Sequence, residues 1–239
     1  MQKNDVLYII IPAYNETENI RSVVKEWYEV IRSHDGGGKS RLVVIDDGSK
    51  DDTYAVIKQL AAVRPLMVPL TKKNTGHGGT ILYGYRYAIE NDADYIFQTD
   101  SDGQTSAAEF EPFWKKRKGY DMVIGWRRSR EDGMSRVFVT TTLRLVLRVI
   151  FGVWIRDANT PYRLMKRTVL EKYIDMIPKD YFLTNVLISV IFNKRKCRVL
   201  YRPISFKNRQ GGVNSINLKK ITGIGLQALK DFYTINKML

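Results

Sequence analysis

A chain of 239 residues with 44% hydrophobic and 11% aromatic side chains can bury the core of one α/β domain, which excludes intrinsic disorder. Its one cysteine, Cys197, excludes a disulfide framework and any multi-cysteine metal site; no uncharged stretch exceeds Tyr181–Asn193, too short for a membrane span, and the polar start Met1–Asp5 ahead of the brief apolar run Leu7–Ile11 does not read as a signal peptide. The formal net charge of +14 is lopsided: residues 1–119 carry 16 Lys and Arg against 17 Asp and Glu, and residues 120–239 carry 23 against 8, so the second half should attract phosphate on nucleic acid, an anionic membrane or a phosphorylated substrate.

The first half alternates strand and helix signals. Val6–Ile11 is an apolar, β-branched run ending at Pro12, as a buried parallel strand would. From Thr17 to Ile31, Ile20, Val23, Val24, Trp27, Val30 and Ile31 recur at helical spacing. After a loop at Gly36–Gly38, Leu42–Ile45 reads as a strand and Asp51–Val63 as its helix. Leu66–Leu70 and Gly79–Glu90 repeat the pair, and Tyr95–Thr99 and Met122–Gly125 supply two more strands. This rhythm predicts an α/β fold, a Rossmann-like, mostly parallel sheet flanked by helices, with ligands beyond the carboxyl ends of the strands. The second half is less regular. Val137–Ile155 is apolar, with Arg144 and Arg148 one turn apart; Tyr181–Asn193 reads as a buried helix, Arg198–Tyr201 as a short strand, and Leu218–Leu239 as one or two amphipathic helices. No linker marks a second globular domain. Residues 1–215 are expected to form one α/β domain and 216–239 a basic, partly amphipathic helical extension.

Four polar loops follow the predicted strands: Pro12–Glu16, Asp46–Ser49, Asn74–Gly79 and Asp100–Gln104. In the last, carboxylates at i and i+2 with an amide oxygen at i+4 suit one hard cation that keeps water and phosphate ligands. A bare D-x-D is more often a solvated turn, but here it directly follows an apolar strand and joins three other polar strand-end loops. Asp46 and Asp47 suit hydrogen bonds to a base and ribose, while Ser49 or Asp51 can cap the next helix. Three glycines in Asn74–Gly79 let backbone approach a ligand and then start a helix. His77 and His34 read as polar loop residues rather than catalysts, and Cys197, between Lys196 and Arg198, as incidental.

Together these residues resemble the family 2 glycosyltransferases of GT-A fold over nearly the whole chain. A closer resemblance is to the polyprenyl-phosphate branch, the dolichyl-phosphate mannosyltransferase-like enzymes. Its D-x-D-x-Q is matched by Asp100, Asp102 and Gln104, and its G-x-R by Gly125-Trp126-Arg127. Its interfacial apolar stretch is matched by Val137–Ile155 and its D-x-x-x-x-x-R by Asp157 through Arg163. Its late arginine motif is matched by Phe206-Lys207-Asn208-Arg209 with Gly211, Gly212 and Ser215. Two departures bear on the acceptor: Thr160-Pro161-Tyr162-Arg163 stands where the branch often has Ser-Gly-Phe-Arg, and the loop Gln210–Asn217 is longer and richer in Asn and Gly. The resemblance implies a nucleotide-diphosphate sugar donor contacted by Pro12, Tyr14, Glu16, Asp46, Asp47, Asn74, Gly78, Asp100 and Ser101. It implies Mg²⁺ or Mn²⁺ on Asp100, Asp102 and Gln104, inversion at the anomeric carbon, and a polyprenyl phosphate acceptor, dolichyl or undecaprenyl.

A phosphate acceptor is already ionised and needs no strong general base; the site must instead join two anions and neutralise a leaving diphosphate. Guanidinium forks suit that task, so Arg127, Arg136 and Arg209 are the expected acceptor-phosphate contacts, and Asp102, Arg127, Asp157 and Arg209 the expected catalytic set. Asp157 reads either as the ion-pair partner that orients an arginine or, with a hydroxyl acceptor on a glycan or lipid-linked saccharide, as a general base. The absence of an E-D pair and of Q-x-x-R-W counts against a processive polysaccharide synthase. A nucleic-acid-binding protein would explain the charge but leaves the acidic loops unexplained, so no nucleic-acid partner is expected. Val137–Ile155 and Leu218–Leu239 serve as core-packing helices, as a shallow contact with an anionic membrane, or both, placing the protein peripherally at the cytoplasmic membrane face.

Overall fold

The computed structural model describes residues 5–128, 134–207 and 218–237, with side chains for 5–128, 140–207 and 227–237. Strands β1 (Leu7–Ala13), β2 (Arg41–Asp46), β3 (Met67–Thr71) and β4 (Tyr95–Gln98) alternate with helices α1 (Ile20–Ser33), α2 (Thr53–Ala62) and α3 (Gly76–Glu90). After the short α4 (Glu111–Trp114) come β5 (Met122–Arg127), α5 (Met134–Phe151), β6 (Arg163–Lys166), α6 (Arg167–Tyr173), α7 (Thr184–Lys194), β7 (Val199–Ile204) and α8 (Leu218–Asn236). The sheet order is β3-β2-β1-β4-β6-β5-β7, with β6 antiparallel to both its neighbours and all other pairings parallel.

Every residue of β1 is buried, because helices cover both faces of the sheet. Leu7, Ile9 and Ile11 face a core shared with Trp27, Phe97, Phe110 and Tyr162; Tyr8 and Ile10 face one shared with Tyr85, Val186 and Phe232. Trp27 lies against Phe97 with ring centroids 5.1 Å apart and edge-on to Phe110 at 6.2 Å. The expected strands and helices of the first half are all present. The strand at Arg163–Lys166 has no counterpart among the predicted elements, since this four-residue segment has a cation at each end and no alternation to mark it. Its insertion between β4 and β5 turns the segment 157–162 toward the same edge as the carboxyl ends of β1, β2, β4 and β5.

Helix α8 packs back on α5 and α7. Phe232 sits edge-on to Phe151 at 5.5 Å, Asn236 Nδ2 donates to the Ile150 carbonyl at 2.7 Å, and Lys194 Nζ donates to Asn236 Oδ1 at 2.6 Å. Among the described residues, no helix is long and apolar enough to cross a membrane.

Helix α3 lies close on the sheet because of Gly84, where a Cβ would overlap Ile10 Cγ2 and come within 2.7 Å of Ile45 Cδ1. Both obstacles are branched side chains in a filled core. Gly84→Ala should therefore destabilise the protein by about 1–3 kcal/mol despite the better helix propensity of alanine. A denaturant midpoint equal to or above that of the unaltered protein would contradict this packing.

Candidate active site

The loop after β1 is fixed before it meets any ligand. Asn15 adopts a left-handed φ of 54°, its N–H donates to Ser49 Oγ at 3.0 Å, and its Oδ1 accepts from Lys50 N at 2.8 Å, joining the loops after β1 and β2. Pro12 is buried at the end of β1 and Tyr14 is exposed beside it. Glu16 is buried, and its Oε2 accepts from Asn19 Nδ2 at 2.8 Å while its carbonyl starts α1.

Asp46 and Asp47 are also buried. Asp46 accepts from Ser49 N and from Thr71 Oγ1 at 2.9 Å; Asp47 Oδ1 accepts from Lys72 Nζ and from Thr75 N at 3.0 Å. Asn74 Nδ2 donates to the Asp47 carbonyl at 2.8 Å. These acids thus set the shape of the loops around them. Gly78 has a packing reason to be glycine: a Cβ there would overlap the Tyr181 carbonyl oxygen and lie 2.7 Å from that of Phe182, so the start of α3 rests on the segment leading into α7.

Asp100 and Asp102 are half-buried, and Ser101 between them is buried. Asp100 Oδ1 accepts from His77 Nε2 at 2.9 Å and from Gln98 Nε2 at 3.3 Å; Asp102 Oδ1 accepts from Gln104 N at 3.1 Å. Desolvation pulls the pKa of His77 down, but Asp100, with Asp102 behind it, outweighs this and holds it above the usual value. The Gln104 side chain is buried and its Nε2 donates to the Lys207 carbonyl at 2.9 Å, so Oε1 is the atom it could offer a cation. Among the described residues no group of three or more acidic, His or Cys side chains forms a metal cluster. Two carboxylates, with the remaining positions left to water and phosphate, fit Mg²⁺ or Mn²⁺ and do not fit a closed structural site.

The basic side of the edge is built on one ion pair. Arg127 Nε and Nη2 donate to Asp157 Oδ2 and Oδ1, both at 2.7 Å, in a bidentate fork that is almost buried. The Arg127 guanidinium also lies over the Phe206 ring at 4.9 Å. Beside this pair opens a cavity of about 300 Å³ lined by Trp126, Arg127, Thr140, Arg144, Trp154, Arg156 and Asp157. Arg156 lies over Trp126 at 5.2 Å and Arg144 over Trp154 at 5.6 Å. Arg144 Nη2 donates to the Arg156 carbonyl at 2.7 Å, and its buried Nε has no partner among the described residues. Arg136 falls in the first turn of α5, but its side chain, like the whole of Arg209, lies outside the described residues.

The expected donor and metal residues are therefore gathered at one sheet edge, and Arg127 and Asp157 meet there. Sequence reasoning missed His77 as a partner of Asp100, and missed Arg144, Arg156 and the two tryptophans as cavity walls. The aromatic–arginine spacing of Trp126-Arg127 and Trp154-Ile155-Arg156 was the available signal.

A sheet of this order, with acids at the ends of β2 and β4 and guanidinium groups at the end of β5, has the fold of a GT-A glycosyltransferase. A model of glycosyl transferase family 2 matches residues 8–174, and the chain belongs to that family. It is similar to the polyprenol monophosphomannose synthase of Mycolicibacterium smegmatis, 29% identical over 221 residues that cover 87% of this chain and 80% of the relative. It is also similar to the UDP-N-acetylglucosamine–dolichyl-phosphate N-acetylglucosaminyltransferase of Methanococcus voltae, 24% identical over 221 residues, 83% of this chain and 84% of the relative. These relatives fall in the polyprenyl-phosphate branch whose motifs the sequence resembles. Among solved structures, glucosyl-3-phosphoglycerate synthase from Mycobacterium tuberculosis in complex with Mn²⁺ and UDP-glucose superposes with a TM-score of 0.67 at 16% identity, covering 98% of this chain and 79% of that one.

In a double-mutant cycle on stability, Arg127→Ala and Asp157→Ala should show a coupling of about 1–3 kcal/mol, since each single variant leaves a poorly solvated charge alone. Additive effects would mean that the two side chains do not hold each other in solution.

Proposed function

We propose that the protein moves a sugar from a nucleotide-diphosphate sugar onto a polyprenyl phosphate, with inversion at the anomeric carbon, at the cytoplasmic face of a membrane. The observation that carries this reading is the cavity at the end of β5, where Arg127, Arg144 and Arg156 with two tryptophans adjoin the edge that bears Asp100 and Asp102. The names of the relatives support the acceptor class, and the Mn²⁺ and UDP-glucose of the structural neighbour support the donor and metal classes.

The nucleoside would sit against Pro12, Tyr14, Glu16, Asp46, Asp47 and Asn74, with Gly78, Asp100 and Ser101 closing on the diphosphate and sugar. Asp100, Asp102 and Gln104 would hold Mg²⁺ or Mn²⁺, which when bound supplies positive charge to the leaving diphosphate. Arg127, Arg144 and Arg156, joined by Arg136 and Arg209, would hold the acceptor phosphate. Its oxygen forms the new bond to the anomeric carbon as the bond to the diphosphate oxygen breaks, and the electron pair leaves with the nucleoside diphosphate. No proton need be removed from the acceptor. Asp157 is chelated by Arg127, which suits an orienting carboxylate rather than a base for a hydroxyl acceptor.

The lipid needs a surface. Helices α5 and α8 pack together, and each leaves an i, i+4 apolar pair in solvent: Leu145 with Val149 (75% exposed) and Leu229 with Tyr233 (62% exposed). Trp154 is exposed beside the cavity under Arg144 and Arg148, and Lys237 lies over Tyr233 at 4.6 Å. Apolar side chains fringed by long cations are the pattern of shallow insertion among anionic headgroups.

The transfer itself is tested with Mg²⁺ or Mn²⁺, labelled UDP-, GDP- and dTDP-sugars, and a short polyprenyl phosphate, followed by organic extraction. Label should enter the organic phase, and Asp102→Ala should remove at least about 100-fold of it, the scale of losing one main source of transition-state charge stabilisation. Metal-dependent donor hydrolysis with no organic label would overturn the lipid-phosphate acceptor and favour a hydroxyl. Membrane contact is tested by sedimentation with vesicles containing anionic phospholipid. The unaltered protein should pellet with them, and Val149→Glu combined with Tyr233→Glu should leave most of it in the supernatant; equal pelleting would rule out this face.

A further inference from the structure

Behind the carboxylates at the sheet edge lies a buried polar set that no step above uses: Tyr85, Gln98, Thr160, Arg163, Asn185 and Ser189. Arg163 is wholly buried, and among the described residues no carboxylate stands within salt-bridge distance of it. Backbone carbonyls take its charge instead. Nε and Nη2 donate to the Thr160 carbonyl at 3.2 and 2.6 Å, Nη2 to that of Ala158 at 3.2 Å, and Nη1 to that of Asn185 at 2.9 Å. Ser189 Oγ donates in turn to the Ala158 carbonyl at 3.0 Å. The guanidinium therefore clamps residues 158–160, immediately after Asp157, onto the first turns of α7.

Gln98 is the cross-strand partner of Arg163 and closes β4 two residues before Asp100. It too is wholly buried. Its Oε1 accepts from Tyr85 Oη at 2.9 Å, so its Nε2 is turned to donate to Asp100 Oδ1 at 3.3 Å. With His77 on the same oxygen, Asp100 keeps Oδ2 for a cation.

Burying a guanidinium and two carboxamides is costly where hydrocarbon of equal volume would pack as well. The Asn185 carboxamide and the Thr160 hydroxyl are buried without partners among the described residues, polar capacity that stability alone does not favour. The set does, however, touch both halves of the site by separate routes.

We propose that Gln98 and Arg163 are positioning residues for opposite substrates. Gln98, aligned by Tyr85, fixes Asp100 for the cation and the donor diphosphate. Arg163, through the carbonyls of Ala158 and Thr160, fixes Asp157 and with it Arg127 for the acceptor phosphate. This rests on the metal-dependent, phosphate-acceptor reading given above.

The test separates the two routes in the full chain. Mn²⁺ binding is read from the free-ion electron paramagnetic resonance signal with UDP, GDP or dTDP present in turn, and acceptor kinetics are read from the transfer assay. Gln98→Met should weaken nucleotide-dependent Mn²⁺ binding about 10–100-fold, the usual cost of removing a partner of a metal ligand, and leave the acceptor KM unchanged. Arg163→Met should leave Mn²⁺ binding unchanged and lower kcat/KM for the acceptor about 100-fold, as expected when a binding group is displaced by about 1 Å. Tyr85→Phe and Ser189→Ala, which remove one hydroxyl each, should reproduce the two patterns with smaller amplitude if a methionine variant fails to fold. Variants on both routes that impair metal and acceptor alike, or that impair neither, would overturn the proposal. Absence of nucleotide-dependent Mn²⁺ binding in the unaltered protein would overturn the metal-dependent reading and this proposal together.

Discussion

The fork between Arg127 and Asp157 is the contact on which the second half of the site depends. Arg127 is the last residue of β5, and Asp157 stands on the link that leads from α5 into β6, so the pair ties the covering helix to the edge of the sheet. Both side chains are nearly buried, and each is tolerable there only because the other is present. Phe206, following β7, closes over the guanidinium and brings a third segment to the same point. Because Asp157 already takes much of the charge of Arg127, the positive field in the neighbouring cavity must come largely from Arg144 and Arg156. Three guanidinium groups therefore border one cavity, and Asp157 holds the first of them in place.

The sheet sorts charge along its edge. Acids end β2 and follow β4, while arginines end β5 and line the α5 side. For an enzyme that joins two anions, the arginine zone would meet an anionic acceptor directly, whereas the acidic zone would need a cation between its carboxylates and a donor diphosphate. The strand order places β6 between these zones, and β6 begins with Arg163, the residue whose hydrogen bonds reach from α7 to the stretch beside Asp157. The same strand position thus serves topology and the spacing of the two zones.

Much of this was legible in the sequence. Continuous apolar runs with β-branched residues marked the four first strands, and the polar strand-end loops marked the edge where a ligand would go, since the fold permits only one such edge. The metal and nucleotide roles given to those loops rest on the family resemblance. Three things could not be read. β6 is too short and too polar at its ends to show a period. His77 and Asp100 are 23 positions apart and meet only because α3 starts where β4 stops. Glu16, Asp46 and Asp47 are acids of the expected loops, yet their burial and their bonds to Asn19, Thr71 and Thr75 follow from packing that a linear pattern does not encode.

The claim that the acceptor is a phosphate, already ionised and held by guanidinium groups, is tested most directly by two lipids that differ in that group alone. The protein would be given the donor sugar and metal with either a short polyprenyl phosphate or the free polyprenol of the same length, in the same vesicles. Transfer to the phosphate, with none to the alcohol, and a product whose mass is the lipid phosphate plus one sugar residue are the results predicted. Transfer to the alcohol at a comparable rate would contradict the account, because it would require a base that Asp157, chelated by Arg127, is not placed to provide.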